Sequence, residues 1–189
     1  MEQKKEMYEI RLVSSLEKVF LEERPVYRPE CMKLTCLKGE TISFQAACTS
    51  TDSERRRVTV QVESEIKDLI RVRQVENVPV CKACGNRTDD NYLKTEAGLY
   101  PDLLRELEHN ETYIYPQQWR SLWIDIETPE DVLAGVYPVT IILTKGQEKL
   151  AEARTEVTIY NAVLPKQKIL HTEWFYADCL ADYYHVPVF

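Results

Sequence analysis

The strongest pattern in the chain is an alternation of apolar and polar residues with a period of two. Val58, Val60 and Val62 show it most clearly, because polar Thr59 and Gln61 lie between them. The same alternation recurs at residues 8–12, 42–48, 69–80, 122–126, 139–143 and 157–159. A period of two with many β-branched residues is typical of strands that bury one face. The pattern therefore predicts seven or eight strands.

No long helical pattern interrupts these strands in the first 165 residues. Strands without interleaved helices favour antiparallel sheets over βαβ units. We therefore predict an all-β fold, an antiparallel β-sandwich of the immunoglobulin-like or jelly-roll-like type. Residues 99–108 are the main exception, because Pro101 and Asp102 are suited to open a short helical turn that carries Leu103, Leu104 and Leu107.

Two connections have features of their own. The segment Ala134-Gly135-Val136-Tyr137 precedes a strand, and a tyrosine at this place favours a tyrosine corner, whose hydroxyl bonds the upstream backbone. A tyrosine packed on a sheet edge is the alternative.

Residues 81–118 interrupt the alternating pattern of the strands and contain several turn-forming residues. A connection of this length is usually functional or packed on something, so we expect a surface excursion that contacts a neighbouring domain.

The chain changes character after residue 165. Leu164-Pro165-Lys166 has the composition of a linker, since proline cannot continue a ladder strand, and residues 169–176 form an apolar, aromatic-rich run that predicts a new strand. The residues that remain are too few to enclose a core. We therefore predict a sandwich domain over residues 1–165, followed by a linker and the start of another domain over residues 166–189.

Composition and charge narrow the functions that fit. Hydrophobic residues make up 44% of the chain and charged residues 29%, which is typical of a soluble globular protein. The formal net charge of -7 argues against a nucleic-acid partner, which requires a basic face. No stretch approaches the roughly 20 apolar residues of a membrane helix, and the first residues lack the apolar core of a signal peptide. We therefore expect a cytoplasmic protein with no nucleic-acid or membrane partner.

The six cysteines form no clear metal or disulfide framework. Cys81 and Cys84 make a single CxxC pair and are weak zinc candidates, because a structural zinc site needs four ligands. Cys31 and Cys36 complete such a site only if the fold brings them near. Cys48 is in phase with the apolar positions of its strand and is expected to be buried. There is also no glycine-rich phosphate loop, so we expect no cofactor and no metal.

The C-terminal run contains a dense mixture of acids and aromatic rings. It comprises His171, Glu173, Trp174, Tyr176 and Asp178. Such a mixture suits sugar binding, because sugar CH faces stack on rings while the hydroxyls bond carboxylates. The functional interpretation is a barrel strand whose C-terminal end reaches an active site. The alternative is a strand that docks against the sandwich.

Three segments together resemble a known family. They are residues 99–104 (Leu-Tyr-Pro-Asp-Leu-Leu), residues 119–129 leading to Ala134-Gly135-Val136-Tyr137, and Leu164-Pro165 before the run from His171 to Asp178. In order and spacing, they resemble the N-terminal domain of the glycoside hydrolase family 123 group, whose catalytic part is also labelled domain of unknown function 4091. The resemblance spans residues 70–180.

The resemblance implies a β-sandwich followed by a (β/α)8 barrel, of which residues 166–189 would hold the truncated first strand. It also implies a parent enzyme that acts on β-linked N-acetylgalactosamine by substrate assistance. In that mechanism the 2-acetamido group attacks the anomeric carbon, an aspartate orients it, and the adjacent glutamate is the acid/base, which differs from the scheme with a protein nucleophile. This sequence contains no Asp-Glu dipeptide and lacks the roughly 200 residues of a barrel. No catalytic residue is therefore expected in it.

Three hypotheses follow. The first is a non-catalytic accessory sandwich that supports a glycosidase barrel, with the missing C-terminal barrel as its partner. The second is a self-standing carbohydrate-binding module, for which Trp119 and Trp123 are the candidate platform, although a tryptophan in mid-strand is more often core or interface. The third is a protein-interaction module with a metal clip at Cys81 and Cys84.

Overall fold

The computed structural model describes residues 7–26, 28, 33–81, 92–170, 172 and 177–187. Apart from short 3₁₀ turns, the regular structure of these residues comprises strands and one helix, α1 (Ala177–Tyr184). The strands are β1 (Tyr8–Ser14), β2 (Lys33–Lys38), β3 (Thr41–Ser50), β4 (Arg56–Glu63), β5 (Ile70–Val80), β6 (Gly98–Glu106), β7 (Glu111–Ile114), β8 (Arg120–Glu127), β9 (Gly135–Lys145) and β10 (Glu148–Val163). The prediction of a mostly β protein is confirmed.

The strands form two five-stranded sheets. Sheet I has the order β1-β3-β8-β5-β6, and sheet II has the order β2-β10-β9-β4-β7. Every pairing in sheet I is antiparallel, whereas sheet II contains one parallel pair, β2 with β10. A parallel pair needs a long crossover, and here most of the fold lies between the two strands. The prediction of a purely antiparallel fold is therefore corrected to one antiparallel and one mixed sheet.

The inner faces of the two sheets share one apolar core. Phe44, Leu122 and Ile124 of sheet I are fully buried, as are Ile141 and Val157 of sheet II, and all belong to a single cluster. Burial of each such side chain stabilises the fold by about 1.5–3 kcal/mol relative to exposure. The two sheets are therefore layers of one sandwich-like unit, and the alternating residues of each strand point away from its core.

The short helix predicted within residues 99–108 is wrong, because this segment forms β6 at the edge of sheet I. Pro101 lies opposite Asn77, and Leu103 lies opposite Glu76, so Asp102 is the extra residue of a β-bulge. A proline without an N–H group is tolerated at edges and bulges. The two features that suggested a helix start, Pro101 and Asp102, therefore belong to a bulged edge strand.

The surface excursion predicted over residues 81–118 is also corrected in part. It contributes β6 to the edge of sheet I and β7 to the edge of sheet II, so the chain crosses from one layer to the other inside this segment. Residues 82–91 lie outside the described residues. The expectation that this segment contacts a neighbouring domain stays a prediction.

The tyrosine-corner bond is confirmed. The hydroxyl of Tyr137, in β9, donates to the carbonyl oxygen of Leu133 at 2.8 Å. The same arrangement occurs at β6, where the Tyr100 hydroxyl donates to the carbonyl oxygen of Glu96. Both tyrosines belong to an Ala-Gly-X-Tyr-Pro sequence, at residues 97–101 and 134–138. One copy therefore starts a strand in each sheet, and each hydroxyl ties its strand to the residue four positions upstream.

The C-terminal segment, where a strand is predicted over residues 169–176, is described only in part. Ile169 and Leu170 are not in a strand, residues 171 and 173–176 lie outside the described residues, and α1 follows. His185 ends the helix with φ 55°, and the Val186 N–H donates to the Ala181 carbonyl at 2.9 Å, as in a Schellman cap. The barrel strand and the domain boundary at residue 165 stay predictions.

The part of the chain that the structure describes contains no helix with the length and apolar character of a membrane span.

Candidate functional site

The outer face of sheet I carries a cluster of polar and aromatic side chains at its middle. On β8, Leu122 and Ile124 point into the core, so Trp123 and Asp125 point outward by strand alternation. β8 lies at the centre of sheet I, and its register places Ser43 of β3 opposite Asp125 and Arg73 of β5 opposite Trp123. The sheet therefore brings four side chains together that are far apart in sequence.

Asp125 is the centre of this cluster and is buried although it lies on the outer face. Its Oδ1 accepts hydrogen bonds from Ser43 Oγ at 2.6 Å and from Trp123 Nε1 at 2.7 Å, and Oδ2 forms an ion pair with Arg73. Burial alone would raise the pKa of Asp125, but these hydrogen bonds and the charge of Arg73 together lower it. The carboxylate is therefore ionised and fully engaged, which suits a positioning role and not proton transfer.

The hydrogen bond from Trp123 Nε1 to Asp125 holds the indole in one orientation. The indole N–H reaches a carboxylate two residues along the same face of the same strand, so the side chain is directed along the strand toward Asp125. The side chain is only partly buried. A half-exposed aromatic ring whose polar edge is already satisfied presents an apolar surface to whatever lies above it.

A strap, residues 15–21, crosses the same face of sheet I and is anchored at both ends. Gln45 Nε2 donates to the carbonyl oxygens of Ser14 and Glu17 at 3.0 and 2.8 Å, and the Trp119 N–H donates to the Leu21 carbonyl at 2.8 Å. Val19 of the strap belongs to a small apolar cluster whose other members lie beneath it. These members are Val13, Ala47 and Trp119. The strap is therefore fixed over the sheet.

A cavity of about 200 Å³ lies between the strap and the edge strand β6. Its floor includes Val75 and Trp123, and its walls include Glu17 and Lys18 of the strap and Asp102 of β6. We call it the Trp123 cavity. Lys18 Nζ lies 3.5 Å from the Pro101 carbonyl oxygen, so a weak contact joins the two walls. The cavity combines an aromatic surface with charged groups at its rim.

A larger cavity, of about 400 Å³, lies on the far part of the strap and is lined by Phe20, Lys94 and Tyr100. Phe20 and Tyr100 meet edge to face, with centroids 6.2 Å apart. Lys94 Nζ lies 4.3 Å from the Phe20 ring centroid and forms an ion pair with Glu23. Lys94 is therefore already engaged by residues of the protein. We regard this larger cavity as a weaker candidate for a binding site than the Trp123 cavity.

The site residues predicted from the sequence are placed only in part. His171, Glu173, Trp174 and Tyr176 lie outside the described residues, and Asp178 is exposed in the first turn of α1. The proposed role of these five residues in sugar binding stays a prediction. Of the outer-face cluster, Trp123 was predicted as part of a carbohydrate platform, whereas Ser43, Arg73 and Asp125 were not predicted as site residues, although the alternation in β8 and β5 places Asp125 and Arg73 on the polar side.

The structure describes only two of the four zinc candidates, Cys36 and Cys81. Cys81 is exposed just after β5, Cys36 is buried in the core, and Cys31 and Cys84 lie outside the described residues. No group of three or more potential metal ligands occurs within the part of the chain that the structure describes. Cys48 is buried as predicted, and burial raises the pKa of its thiol to about 12.

The two tryptophans of the carbohydrate-platform hypothesis differ in exposure. Trp119 is 7% exposed and packs in the apolar cluster beneath the strap, so it cannot serve as a platform. Trp123 faces the cavity. Only Trp123 keeps this role.

Residues 14–145 match the family model described as the glycoside hydrolase 123 N-terminal domain. This range covers more than half of the chain. The chain belongs to this family. The resemblance inferred from the three sequence segments is therefore confirmed at the level of the N-terminal domain.

A solved structure of a family 123 glycoside hydrolase has a similar fold over most of this chain. The family 123 glycoside hydrolase from Clostridium perfringens, studied for glycolipid glycan hydrolysis, is 14% identical and superposes with a TM-score of 0.60 over 84% of this chain. The match covers 28% of that hydrolase, so the glycoside hydrolase 123 N-terminal domain described here spans less than a third of it. At this identity the likeness shows the fold alone.

Other solved structures match more weakly. A type I cohesin from Pseudobacteroides cellulosolvens is 8% identical, with a TM-score of 0.33 over 74% of this chain and 94% of its own. The PapD-like domain 7 of human CEP192 is 7% identical, with a TM-score of 0.36 over 87% of this chain and 92% of its own. These scores are too low to carry a functional argument. No curated protein sequence matches the chain.

Proposed function

We propose that this glycoside hydrolase 123 N-terminal domain is a non-catalytic sandwich that packs on, and stabilises, a C-terminal (β/α)8 catalytic domain. The observation that carries the proposal is the share of the Clostridium perfringens hydrolase that the match covers, 28%. A domain of that family which occupies so small a share of a hydrolase is suited to a supporting role. The proposal includes a parent enzyme that acts on β-linked N-acetylgalactosamine.

The chemistry of Asp125 supports the non-catalytic part of the proposal. Asp125, the buried carboxylate of the outer-face cluster, accepts hydrogen bonds from Ser43 and Trp123 and pairs with Arg73. Its lowered pKa is opposite to what a general acid requires. The sequence also lacks the consecutive Asp-Glu that substrate-assisted hydrolysis in this family would need.

A surface near the end of β10 supports the docking part of the proposal. Leu133, Val136, Tyr160 and Val163 are exposed there, with 77%, 59%, 53% and 48% of each side chain accessible. The pairing of Thr158 with Val136 places β9 and β10 side by side at this end of sheet II. We call these four residues the exit patch, because the chain leaves the sandwich beside them.

Further exposed apolar residues follow the exit patch along the chain. Ile169 and Leu170 are 84% and 93% exposed, and Leu180 and Tyr183 of α1 are exposed as well. Apolar surface that contacts only water costs about 25 cal/mol per Å² relative to burial, and such patches commonly mark interaction sites. A catalytic domain that follows residue 189 in the same polypeptide is the occupant that we assign to this surface.

The first test measures catalysis. The purified 189-residue chain is expected to show no turnover of an aryl β-N-acetylgalactosaminide, whereas the chain joined to the catalytic domain encoded downstream is expected to turn it over. Turnover by the 189-residue chain alone would overturn the non-catalytic proposal. Absence of turnover by both would overturn the substrate assignment.

The second test measures docking in the joined protein. Val136→Glu introduces a charge into the exit patch and is expected to lower the thermal stability of the joined protein more than that of the 189-residue chain. Leu103→Glu is the matched control, because Leu103 is similarly exposed, at 59%, but lies on β6 in the other sheet. Equal effects of Val136→Glu in the two proteins would contradict docking at the exit patch.

A further inference from the structure

We propose that the Trp123 cavity is a binding site for one pyranose ring of a carbohydrate, separate from any catalytic centre. The proposal depends on three features of the described residues: a fixed aromatic surface, a polar rim that is free to exchange partners, and a size that suits a single sugar unit. It concerns the outer face of sheet I, and it does not depend on docking at the exit patch.

The aromatic surface is ready to bind without rearrangement. The bond from Trp123 Nε1 to Asp125, at 2.7 Å, fixes the indole, and the bonds from Ser43 and Arg73 fix Asp125 in turn. A ring held in this way loses little conformational entropy when a ligand stacks on it. The CH face of a pyranose is the chemical group that matches the partly exposed indole of Trp123.

The floor beside the indole is apolar. Val75, of which only 6% is exposed, and Leu104 of β6 also line the cavity. The two lie opposite each other in the pairing of β5 with β6, and both line the same cavity as Trp123. The cavity therefore has an apolar base beside the indole of Trp123.

The rim supplies hydrogen-bonding groups on two opposite sides. Glu17 and Lys18 line the cavity from the strap, and Asp102 lines it from β6. Asp102 is the extra residue of the bulge, and bulges re-aim side chains in this way. The bulge explains how Pro101 and Asp102, which are consecutive, both reach the cavity.

The contact between the walls is weak enough to be replaced. The distance from Lys18 Nζ to the Pro101 carbonyl oxygen, 3.5 Å, is long for a hydrogen bond. A ligand hydroxyl placed between them could accept from Lys18 and donate to the carbonyl. The carboxylates of Glu17 and Asp102 can accept from further hydroxyls.

Size and charge decide the class of ligand. A cavity of about 200 Å³ is smaller than the roughly 300–1,000 Å³ of pockets for drug-sized ligands, so it suits one ring and not an oligosaccharide. Two carboxylates and one ammonium at the rim disfavour anions such as phosphates or acidic sugars. A neutral pyranose, with apolar CH faces and several hydroxyls, matches both the floor and the rim.

Nuclear magnetic resonance of the ¹⁵N-labelled 189-residue chain tests the site. The sequence has three tryptophans, and Trp123→Phe assigns the indole signal of Trp123. N-acetylgalactosamine, galactose and glucose are titrated separately. We expect a saturable shift of the Trp123 signal with at least one of them, with a Kd on the order of 1 mM for so small a ligand, and no comparable shift of the buried Trp119 signal.

Substitutions distinguish the cavity from nonspecific binding. Trp123→Leu is expected to weaken binding by about tenfold or more. Asp102→Ala provides an independent variant at an exposed position, so it should fold even if Trp123→Leu does not. Tyr113→Leu is the matched control, because Tyr113 is an exposed aromatic residue on β7 of sheet II. A Trp123 signal that does not move with any sugar, or binding that survives both cavity variants, would overturn the proposal.

Discussion

Thr112 Oγ1, in β7, donates a hydrogen bond to Oε1 of Gln74, in β5, and both residues are buried. β5 belongs to sheet I and β7 to sheet II, so this bond joins the two layers through the core. Gln74 Nε2 donates to the carbonyl oxygens of Val75 and Ser121, both at 3.0 Å. The amide of Gln74 is therefore satisfied only while Thr112 keeps its hydroxyl.

Thr112→Val is expected to lower the free energy of unfolding by about 1–3 kcal/mol, because it leaves the Gln74 carbonyl oxygen buried without a donor. The shape of the side chain is retained, so packing contributes little. Chemical denaturation measures the change. Thr112→Ser, which keeps the hydroxyl, is the control. No loss of stability in Thr112→Val would show that the hydrogen bond to Gln74 contributes nothing at this position.

Asp125→Asn is expected to destabilise the domain by about 2 kcal/mol at pH 7. The substitution leaves Arg73 without its ion-pair partner, and breaking a fully buried pair costs about 3–5 kcal/mol. The expected value is smaller because 22% of the Arg73 side chain is exposed. Ser43→Ala, which removes one donor to the same carboxylate, should have a smaller effect.

The same pair predicts a pH dependence. The pKa of Asp125 is lower in the folded protein than its ordinary value of 3.8, so the unfolded chain binds more protons as the pH falls. The contribution of Asp125 is therefore complete above the unfolded pKa and is lost as the pH falls through the folded one. The stability difference between the wild type and Asp125→Asn should be constant near neutral pH and should shrink below about pH 4. A difference that does not depend on pH would contradict this assignment.

The strands that the sequence predicted and those that it missed differ in their place in the sheets. The clear alternations, such as Val58 to Val62, lie mostly in strands with a neighbour on each side. β2, β6 and β7, which were not predicted, are three of the four edge strands among the described residues. An edge strand has a neighbour on one side only, so its side chains are more exposed, as Leu99 and Leu103 of β6 show. Its alternation is therefore weaker, and a bulge such as the one at Asp102 breaks the period.

The cluster around Asp125 could be predicted from the sequence only as a list of outward-facing residues. Alternation places Trp123 and Asp125 on one face of β8 and Arg73 on one face of β5. It does not say that these strands are neighbours, because residues 81–119 separate them and the described part of that segment contains two further strands. The strap raises the same difficulty, since its contact with Gln45 depends on a non-local pairing. Sheet order was therefore the missing information.

Tyr137→Phe is expected to lower the free energy of unfolding by about 0.5–1 kcal/mol, through loss of the hydrogen bond to Leu133. The expected loss is at the lower end of the range for one hydrogen bond, because the Leu133 carbonyl is near the surface and water can replace the tyrosine hydroxyl. Tyr100→Phe removes the equivalent bond to Glu96 and should have a similar effect. Because the two tyrosines lie in different sheets, the two losses should add in the double variant. A clearly non-additive result would show that the two corners are coupled.

The described cysteines are expected to react with a thiol reagent in two classes. Cys81 and Cys179 are exposed, whereas Cys36 and Cys48 are buried in the core. Burial raises the pKa of both core thiols, that of Cys48 to about 12, and the thiolate is the reactive form. Brief treatment with iodoacetamide at pH 8, followed by peptide mass spectrometry, should modify Cys81 and Cys179 first. Cys36 and Cys48 should react at a comparable rate only in denaturant, and their rapid modification in the folded protein would contradict their placement between the sheets.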